Sequence, residues 1–279
     1  MKKLPITALV QTKNEEVGIA ACLAGLTDFD EVIVVDSDSS DRTAEIAESM
    51  GVRVYNFTWN GSYPKKKQWQ LDNLDTKHEW VLFVDADEVP TPGLLDELRS
   101  RTSDLQSGTY SAFDIPLDYV FAGRTLQYGH RVVKRALVRL GQVNFPVIDD
   151  LHAPGMGELE GHYQPAVQGR VSRLTGRLRH DDKDPLRTWF DRHNRYSDWE
   201  AYLRTNPGVQ KAAAARRTVQ GRLFDKVPFK PLMFFIYAYV AKRGFMDGRA
   251  GFDYAFALSS YYWQIGLKVR EIVRVKDEV

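Results

Sequence analysis

Two carboxylates stand two residues apart in Val84-Asp85-Ala86-Asp87-Glu88, directly after the apolar run Trp80–Val84. Such a run is the pattern of a buried strand, and in an extended chain side chains at i and i+2 point the same way. The reading expects Asp85 and Asp87 to converge at the carboxyl end of that strand, where open α/β sheets hold their ligands. Paired carboxylates there suit Mg²⁺ or Mn²⁺ bridging phosphate oxygens. The bland alternative is a solvated acidic turn.

Two further polar clusters follow apolar runs. Gln11-Thr12-Lys13-Asn14-Glu15-Glu16 follows Ile6–Val10, and Asp36-Ser37-Asp38-Ser39-Ser40-Asp41-Arg42-Thr43 follows the β-branched run Glu31–Val35. An Asp at such a tip, here Asp36, accepts hydrogen bonds from a ribose or a base N–H, whereas Asp41 reads as a helix cap. No G-x-G-x-x-G and no Walker A sequence is present, which argues against a dinucleotide fold and a P-loop. Ile148-Asp149-Asp150-Leu151-His152 offers adjacent acids for proton abstraction, and crowding raises at least one carboxyl pKa. Asp150 is the favoured base and Asp149 the second choice, against a loop pair with no role. His180 is a candidate ligand with a surface histidine as its alternative. Arg131, near Arg135, is a candidate contact for sugar or phosphate, with a solvated basic strand edge as the favoured alternative.

The elements that position these residues are legible. Ile19, Cys22, Leu23 and Leu26 recur at helical spacing, Gly51 falls where a C′ glycine belongs, and Pro92 suits N1 of a helix. Strands Ile6–Val10, Glu31–Val35, Val52–Phe57 and Trp80–Val84 alternate with helices, including Lys66–Leu74. That order implies a parallel sheet. Ala136–Leu140 and Ala166–Leu174 read as strands of a mixed continuation. Helices return at Pro185, where Trp189, Phe190, His193, Tyr196 and Ser197 suit one face, and again over the Ala/Arg-rich stretch 207–222.

In order, the three strand tips resemble the nucleotide-sugar half of family 2 glycosyltransferases of the GT-A fold. The matching runs are Val10 to Glu16, Val34 to Thr43 and Leu82 to Glu88, with Lys67 to Leu74 similar to the basic segment before the DxD strand. The resemblance covers roughly residues 4–100 and looks closest to bacterial enzymes of lipopolysaccharide cores and surface glycans. It implies an α/β fold: a Rossmann-like GT-A domain with a mixed central sheet and a C-terminal helical, membrane-associating extension. It implies that Thr12, Asn14 and Glu15 line the nucleotide pocket, with Asp36 near the base and Lys67 near the base or diphosphate. Asp85 would meet the ribose or metal, Asp87 would ligate Mg²⁺ or Mn²⁺, and His180 would complete the coordination. Many members carry a second Asp where this chain has Ser37. The activity implied is inverting transfer from a nucleotide-sugar, a UDP-sugar by expectation, to a glycan or lipid-linked acceptor.

Composition sets the outer bounds. The 279 residues carry 38 Lys/Arg and 37 Asp/Glu, and 43% are hydrophobic, which excludes a disordered or fibrous chain. The single cysteine excludes an internal disulfide and a Cys-based zinc cage. Charge is uneven: −8 over residues 1–105, +2 over 106–206 and +7 over 207–279. Those spans are the expected divisions: donor half, acceptor half and amphipathic helical region. The tail mixes aromatics with cations, Lys226 among them, and Pro231–Ala241 is too short to cross a bilayer but long enough to lie in one. We expect no signal peptide, no nucleic-acid partner, and a cytoplasmic protein held peripherally on the inner face of the membrane. Two rivals are a sugar-phosphate nucleotidyltransferase and a non-catalytic membrane adaptor. The first wants a glycine-rich loop that Gln11–Glu16 lacks, and the second has no use for the acidic pairs.

Overall fold

Apolar side chains alternate along β1, Leu4–Thr12, so that Ile6, Ala8 and Val10 enter one core and Leu9 the other. A strand buried on both faces belongs at the middle of a sheet with helices on each side. The computed structural model places it there and describes residues 2–161, 163–209, 224 and 227–278. β1 pairs in parallel with β2, Phe29–Asp36, and with β4, Trp80–Asp85, while β2 pairs in parallel with β3, Arg53–Asn56. The crossovers are α1, Ile19–Gly25, α2, Thr43–Ser49, and α3, Lys66–Asn73. Gly51 closes α2 with a φ of 74°, the left-handed position that glycine fills without strain.

After β5, Glu88–Pro90, come α4, Pro92–Ser100, and α5, Thr102–Gln106, with Pro92 at N1 as expected. The sheet then continues in mixed sense. β6, Ala112–Phe121, and β8, Val133–Arg139, run antiparallel, and β8 in turn pairs antiparallel with β4. The short hairpin strand β7, Arg124–Thr125, sits on β6. β9, Val143–Asn144, pairs with β10, Ala166–Val167, and β11, Val171–Arg173, returns to β6. The single strand expected over Ala166–Leu174 is therefore two pieces. Gly169 breaks it at φ 121°, packed so tightly that a β-carbon there would meet Ser111 Oγ at 2.4 Å. β12, Leu178–His180, joins β6 in parallel and β5 antiparallel, which completes the order β3-β2-β1-β4-β8-β6-β12-β5. One sheet thus runs across the expected boundary at residue 105. The α/β class, the mixed central sheet and the C-terminal helical extension are as the sequence implied.

α6, Leu186–Thr205, starts from Pro185 and buries Trp189, Ser197 and Trp199, while Phe190 faces solvent. α7, Lys230–Phe235, continues as a π-helical turn, Ile236–Ala241, and a 3₁₀ turn, Gly244–Asp247, and leads into α8, Gly248–Asp277. α8 buries Tyr254 and Tyr261 as ordinary core. Of the expected 207–222 helix only residues 207–209 are described, and they are helical; the rest of that stretch and Lys226 lie outside the described residues.

Candidate functional site

The strand tips carry the polar clusters because each apolar run stops where the sheet meets solvent. The loops after β1 and β2 are tied to each other. Thr12 Oγ1 donates to Asp36 Oδ1 at 2.7 Å, and Ser39 donates to Asp36 through Oγ at 2.6 Å and N at 2.8 Å. Asn14, at a left-handed φ of 57°, accepts from Ser40 N at 2.8 Å. Asp36 and Thr12 are buried and shape the pocket wall, while Asn14 is exposed. Asp41, expected as the helix cap, lies one residue before the N-cap Arg42 and accepts from Thr43 N at 3.0 Å.

Lys66 escaped the sequence reading. Its buried ammonium donates to Ser37 Oγ at 2.6 Å and to Thr12 O at 3.0 Å. Burial pulls its pKa down to about 8. Ser37, at the end of the β2 tip, therefore receives a lysine from α3. Only adjacency to Lys67 hinted at this, since a helix start places successive side chains in different directions.

The acidic pair is arranged differently from expectation. β4 ends at Asp85 and the chain turns through Ala86-Asp87 before β5, so the extended conformation does not persist. Asp85 meets Lys134 of β8, Nζ to Oδ2 2.7 Å, and the same ammonium bonds both oxygens of fully buried Glu88 at 2.8 Å. Burial would lift the Asp85 carboxyl, but Lys134 and Lys67 outweigh it and the net shift is downward. Asp85 thus already has an internal cation on one of its two carboxylate oxygens.

Asp87 instead meets His180. Their register partners explain the approach: His180 lies opposite Glu88 in the β12–β5 ladder and beside Tyr119 in the β12–β6 ladder. Asp181 N donates to Asp87 O at 2.9 Å and locks the turn onto β12. The Tyr119 ring stacks on His180 with centroids 4.7 Å apart, and Trp189 Nε1 holds the Tyr119 hydroxyl at 3.0 Å. His180 Nδ1 stands 3.2 Å from Asp87 Oδ1, yet both atoms are buried without a hydrogen-bond partner of acceptable geometry. Burial raises the Asp87 pKa. Burial would lower His180, but Asp87 and Glu88 push it up to about 10. Both shifts draw protons into a pocket crowded with negative charge, and a divalent cation satisfies the same demand. The spacing also fits: two ligands at right angles on bonds of about 2.1 Å lie about 3.0 Å apart. Among the described residues no group of three or more His, Cys, Asp or Glu is arranged as a metal cage. The protein would therefore supply two donors, with phosphate oxygens and water completing the set.

Glu15 borders this pocket. Burial pushes its pKa up to about 8, helped by Asp87, Asp184 and Asp182 and opposed by Arg192. A carboxyl raised in the fold holds its proton where the unfolded chain has lost it, so its burial costs stability as pH climbs from about 4.5 through about 8. Glu15→Gln should melt several degrees above the parent at pH above 8 and match it near pH 5, at roughly 2–4 °C per kcal/mol for a chain of this size. Equal melting temperatures at high pH would contradict the assignment.

On the acceptor side, Asp150 is buried with both oxygens engaged. Oδ1 receives Tyr63 Oη at 2.6 Å and Lys65 Nζ at 3.0 Å, and Oδ2 receives Trp199 Nε1 at 2.9 Å. That geometry gives Asp150 a structural role, as the acceptor that ties three buried donors together. Asp149 is exposed. Glu160 was missed. Its Oε1 accepts Lys67 N at 2.8 Å and Gln68 N at 3.1 Å at the start of α3, and its Oε2 is buried without a partner. Burial raises its pKa against the pull of Lys67. It lines a cavity of about 300 Å³ together with Tyr63, Gln68, Phe145 and Tyr163. Lys67 acts electrostatically on both Asp85 and Glu160 and so lies between the donor and acceptor sides. Arg131 and Arg177 share Asp118 at 4.0 and 3.2 Å, and Arg135 pairs with Asp114 at 2.9 Å.

Residues 7–123, which hold all three strand tips, match the sequence model of Glycosyl transferase family 2. They are a family 2 glycosyltransferase domain. An uncharacterised glycosyltransferase of Rickettsia bellii is 36% identical to this chain over 113 residues, 40% of this chain and 37% of that protein. The match therefore spans less than two fifths of that relative's length. The lipopolysaccharide core biosynthesis glycosyltransferase LpsC of Rhizobium meliloti is 24% identical over 277 residues, covering 94% of this chain and 93% of LpsC. Among solved structures, that of S. aureus TarS 1-349 aligns with a TM-score of 0.43 at 15% identity, over 95% of this chain and 92% of that one.

Proposed function

We propose that the chain transfers a sugar, with inversion, from a nucleoside diphosphate to a hydroxyl of a glycan or lipid-linked acceptor in the making of a bacterial surface polysaccharide. Similarity to LpsC along nearly the whole chain supports the acceptor class. The observation that carries the reading is the buried pair Asp87 Oδ1 and His180 Nδ1, which face each other at 3.2 Å without a well-formed hydrogen bond beyond the ends of β4 and β12.

Departure of the diphosphate builds negative charge on its oxygens. Mg²⁺ or Mn²⁺ held by Asp87 and His180 would supply Lewis-acid stabilisation of that charge. Tyr119 fixes the His180 ring, and Trp189 fixes Tyr119, so the nitrogen is aimed before any ligand arrives. Asp85, oriented by Lys134, faces the ribose, while Thr12, Asn14, Asp36 and Lys66 shape the nucleotide pocket. UDP is the nucleotide in this reading. As the bond from the anomeric carbon to the phosphate oxygen breaks, the acceptor oxygen bonds that carbon from the opposite face. Its proton passes to Glu160, the acceptor-side carboxylate with an unpartnered oxygen.

A thermal-shift series separates this reading from its rivals. UDP with Mn²⁺ should raise the melting temperature more than either alone. Stabilisation by a nucleoside triphosphate and not by UDP would favour the nucleotidyltransferase, and no response to any nucleotide would favour the adaptor. Glu160→Gln should cut the transfer rate about 10²- to 10⁴-fold, the usual worth of a positioned base, and leave the UDP shift intact. The parent rate should rise with pH through a midpoint above the ordinary glutamate range, because the base works only when deprotonated. A full rate in the Gln variant would move the base elsewhere, first to Asp149.

A further inference from the structure

The C-terminal region carries a surface that the transfer reaction does not use. Along α7 and the π-helical turn, Phe229, Leu232, Met233, Ile236, Tyr237 and Val240 recur at the three- and four-residue spacing of one helical face. In a soluble domain that stripe faces the core. Here it faces outward: Phe229 is 82% exposed, Leu232 59% and Val240 54%. The inward face is already filled by Phe234 and Ala238, which pack with Ala255 of α8. The exposed stripe is thus surplus to the packing of the chain.

Ring contacts extend it into one continuous patch. Phe235 and Tyr239 each meet Phe252 of α8, at 5.7 and 5.6 Å, and Phe252 stacks on Phe256 at 6.0 Å. Tyr239 also meets Phe245 of the 3₁₀ turn, and Phe245 is 50% exposed. Apolar patches this extended mark an interaction surface. Its rim is cationic. Between Val227 and Ala250 the chain has four cations, Lys230, Lys242, Arg243 and Arg249, and one acid, Asp247. Asp247 is turned inward, accepting from Gln127 N at 3.0 Å and Tyr128 N at 2.8 Å. Lys242 and Arg243 are exposed and have no carboxylate partner among the described residues. No helix among the described residues is long and apolar enough to cross a membrane.

We propose that this patch docks the protein onto the surface of an anionic bilayer, with α7 and its π-helical turn lying in the plane of the interface. Apolar side chains enter the acyl boundary, Tyr237 and Tyr239 rest at headgroup depth, and Lys242 and Arg243 meet lipid phosphates. A surface built only to receive a second copy of this chain would need acids opposite these cations, and the one acid beside the patch that is not turned inward, Asp253, is already paired with Arg249 at 3.0 Å.

Flotation of the full chain with vesicles tests this without reference to turnover. Vesicles of phosphatidylcholine mixed with phosphatidylglycerol should carry the protein, and phosphatidylcholine alone should carry far less. The triple variant Leu232→Ser/Ile236→Ser/Val240→Ser should lose at least about tenfold in partitioning, since three apolar side chains leave the interface. Lys242→Glu/Arg243→Glu should lose about tenfold or more on the anionic vesicles alone. Circular dichroism checks that the variants fold, and a salt titration of the parent on anionic vesicles needs no variant: binding should weaken as salt rises. Failure of the parent to float with anionic vesicles would overturn the proposal. So would a stable dimer by light scattering that the triple variant breaks.

Discussion

Asp87→Ala is expected to reduce sugar transfer by about 10³-fold or more and to abolish the extra thermal stabilisation that Mn²⁺ adds to UDP. The size follows from several kcal/mol of charge stabilisation at 1.36 kcal/mol per decade of rate. The turn itself should hold, because Asp181 N fixes it through the backbone, and any loss of melting temperature should come from the His180 ring left without the carboxylate that raises its pKa. The two readouts separate the roles of the two aspartates. Asp85→Ala frees Lys134 and Glu88 from their arrangement and should lower stability as well as rate. Full turnover of Asp87→Ala in the presence of a chelator would end the reading of Asp87 as the metal ligand.

The second large effect is on stability. Asp150→Ala should destabilise the protein by about 3–5 kcal/mol, because it leaves the Lys65 ammonium buried without its carboxylate and strips the Tyr63 hydroxyl and Trp199 indole of their acceptor. Urea unfolding measures this directly. Asp150→Asn keeps acceptor geometry for Tyr63 and Trp199 but removes the charge, and should fall between the alanine variant and the parent. A base at Asp150 would give the opposite pattern: transfer lost, stability nearly unchanged. That outcome would restore the reading of the sequence and undo the structural one.

What the sequence made legible and what it hid divide along range. The order of strands and helices through residue 100 could be read because each depends on local periodicity and local punctuation. Val32 to Val35 alternate between two cores, Gly51 meets a left-handed turn, and Pro92 opens a helix. The apolar run before Asp85 marks the strand tip in the same way. No spacing rule reaches the pairing of Asp87 with His180, since the register of β12 between β5 and β6, far along the chain, fixes it. The turn at Ala86 bends the chain between Asp85 and Asp87, and Asp85 meets Lys134 of an antiparallel strand, a contact that no local spacing shows. The contacts of Asp150 stayed hidden for a related reason. Two adjacent acids look alike in sequence, and only the approach of Tyr63 and Lys65 from one distant segment and Trp199 from another shows that one of them is held inside the fold. Glu160 carried no pattern at all and Lys66 only its adjacency to Lys67: each matters through the atoms of another element that it reaches.

Cys22, the one cysteine of the chain, sits on α1, 1% exposed, with Sγ 3.8 Å from the carbonyl oxygen of Asp85. Burial, with Glu88, Asp87 and Asp85 nearby, pushes its thiol far up and leaves it inert in the closed molecule. A maleimide or disulfide reagent can reach it only when α1 parts from the strand that carries the acidic tip. The native chain therefore contains its own labelling reporter of breathing behind the donor pocket, and the labelling rate, followed with and without nucleotide, reads how tightly a bound donor clamps that half of the sheet.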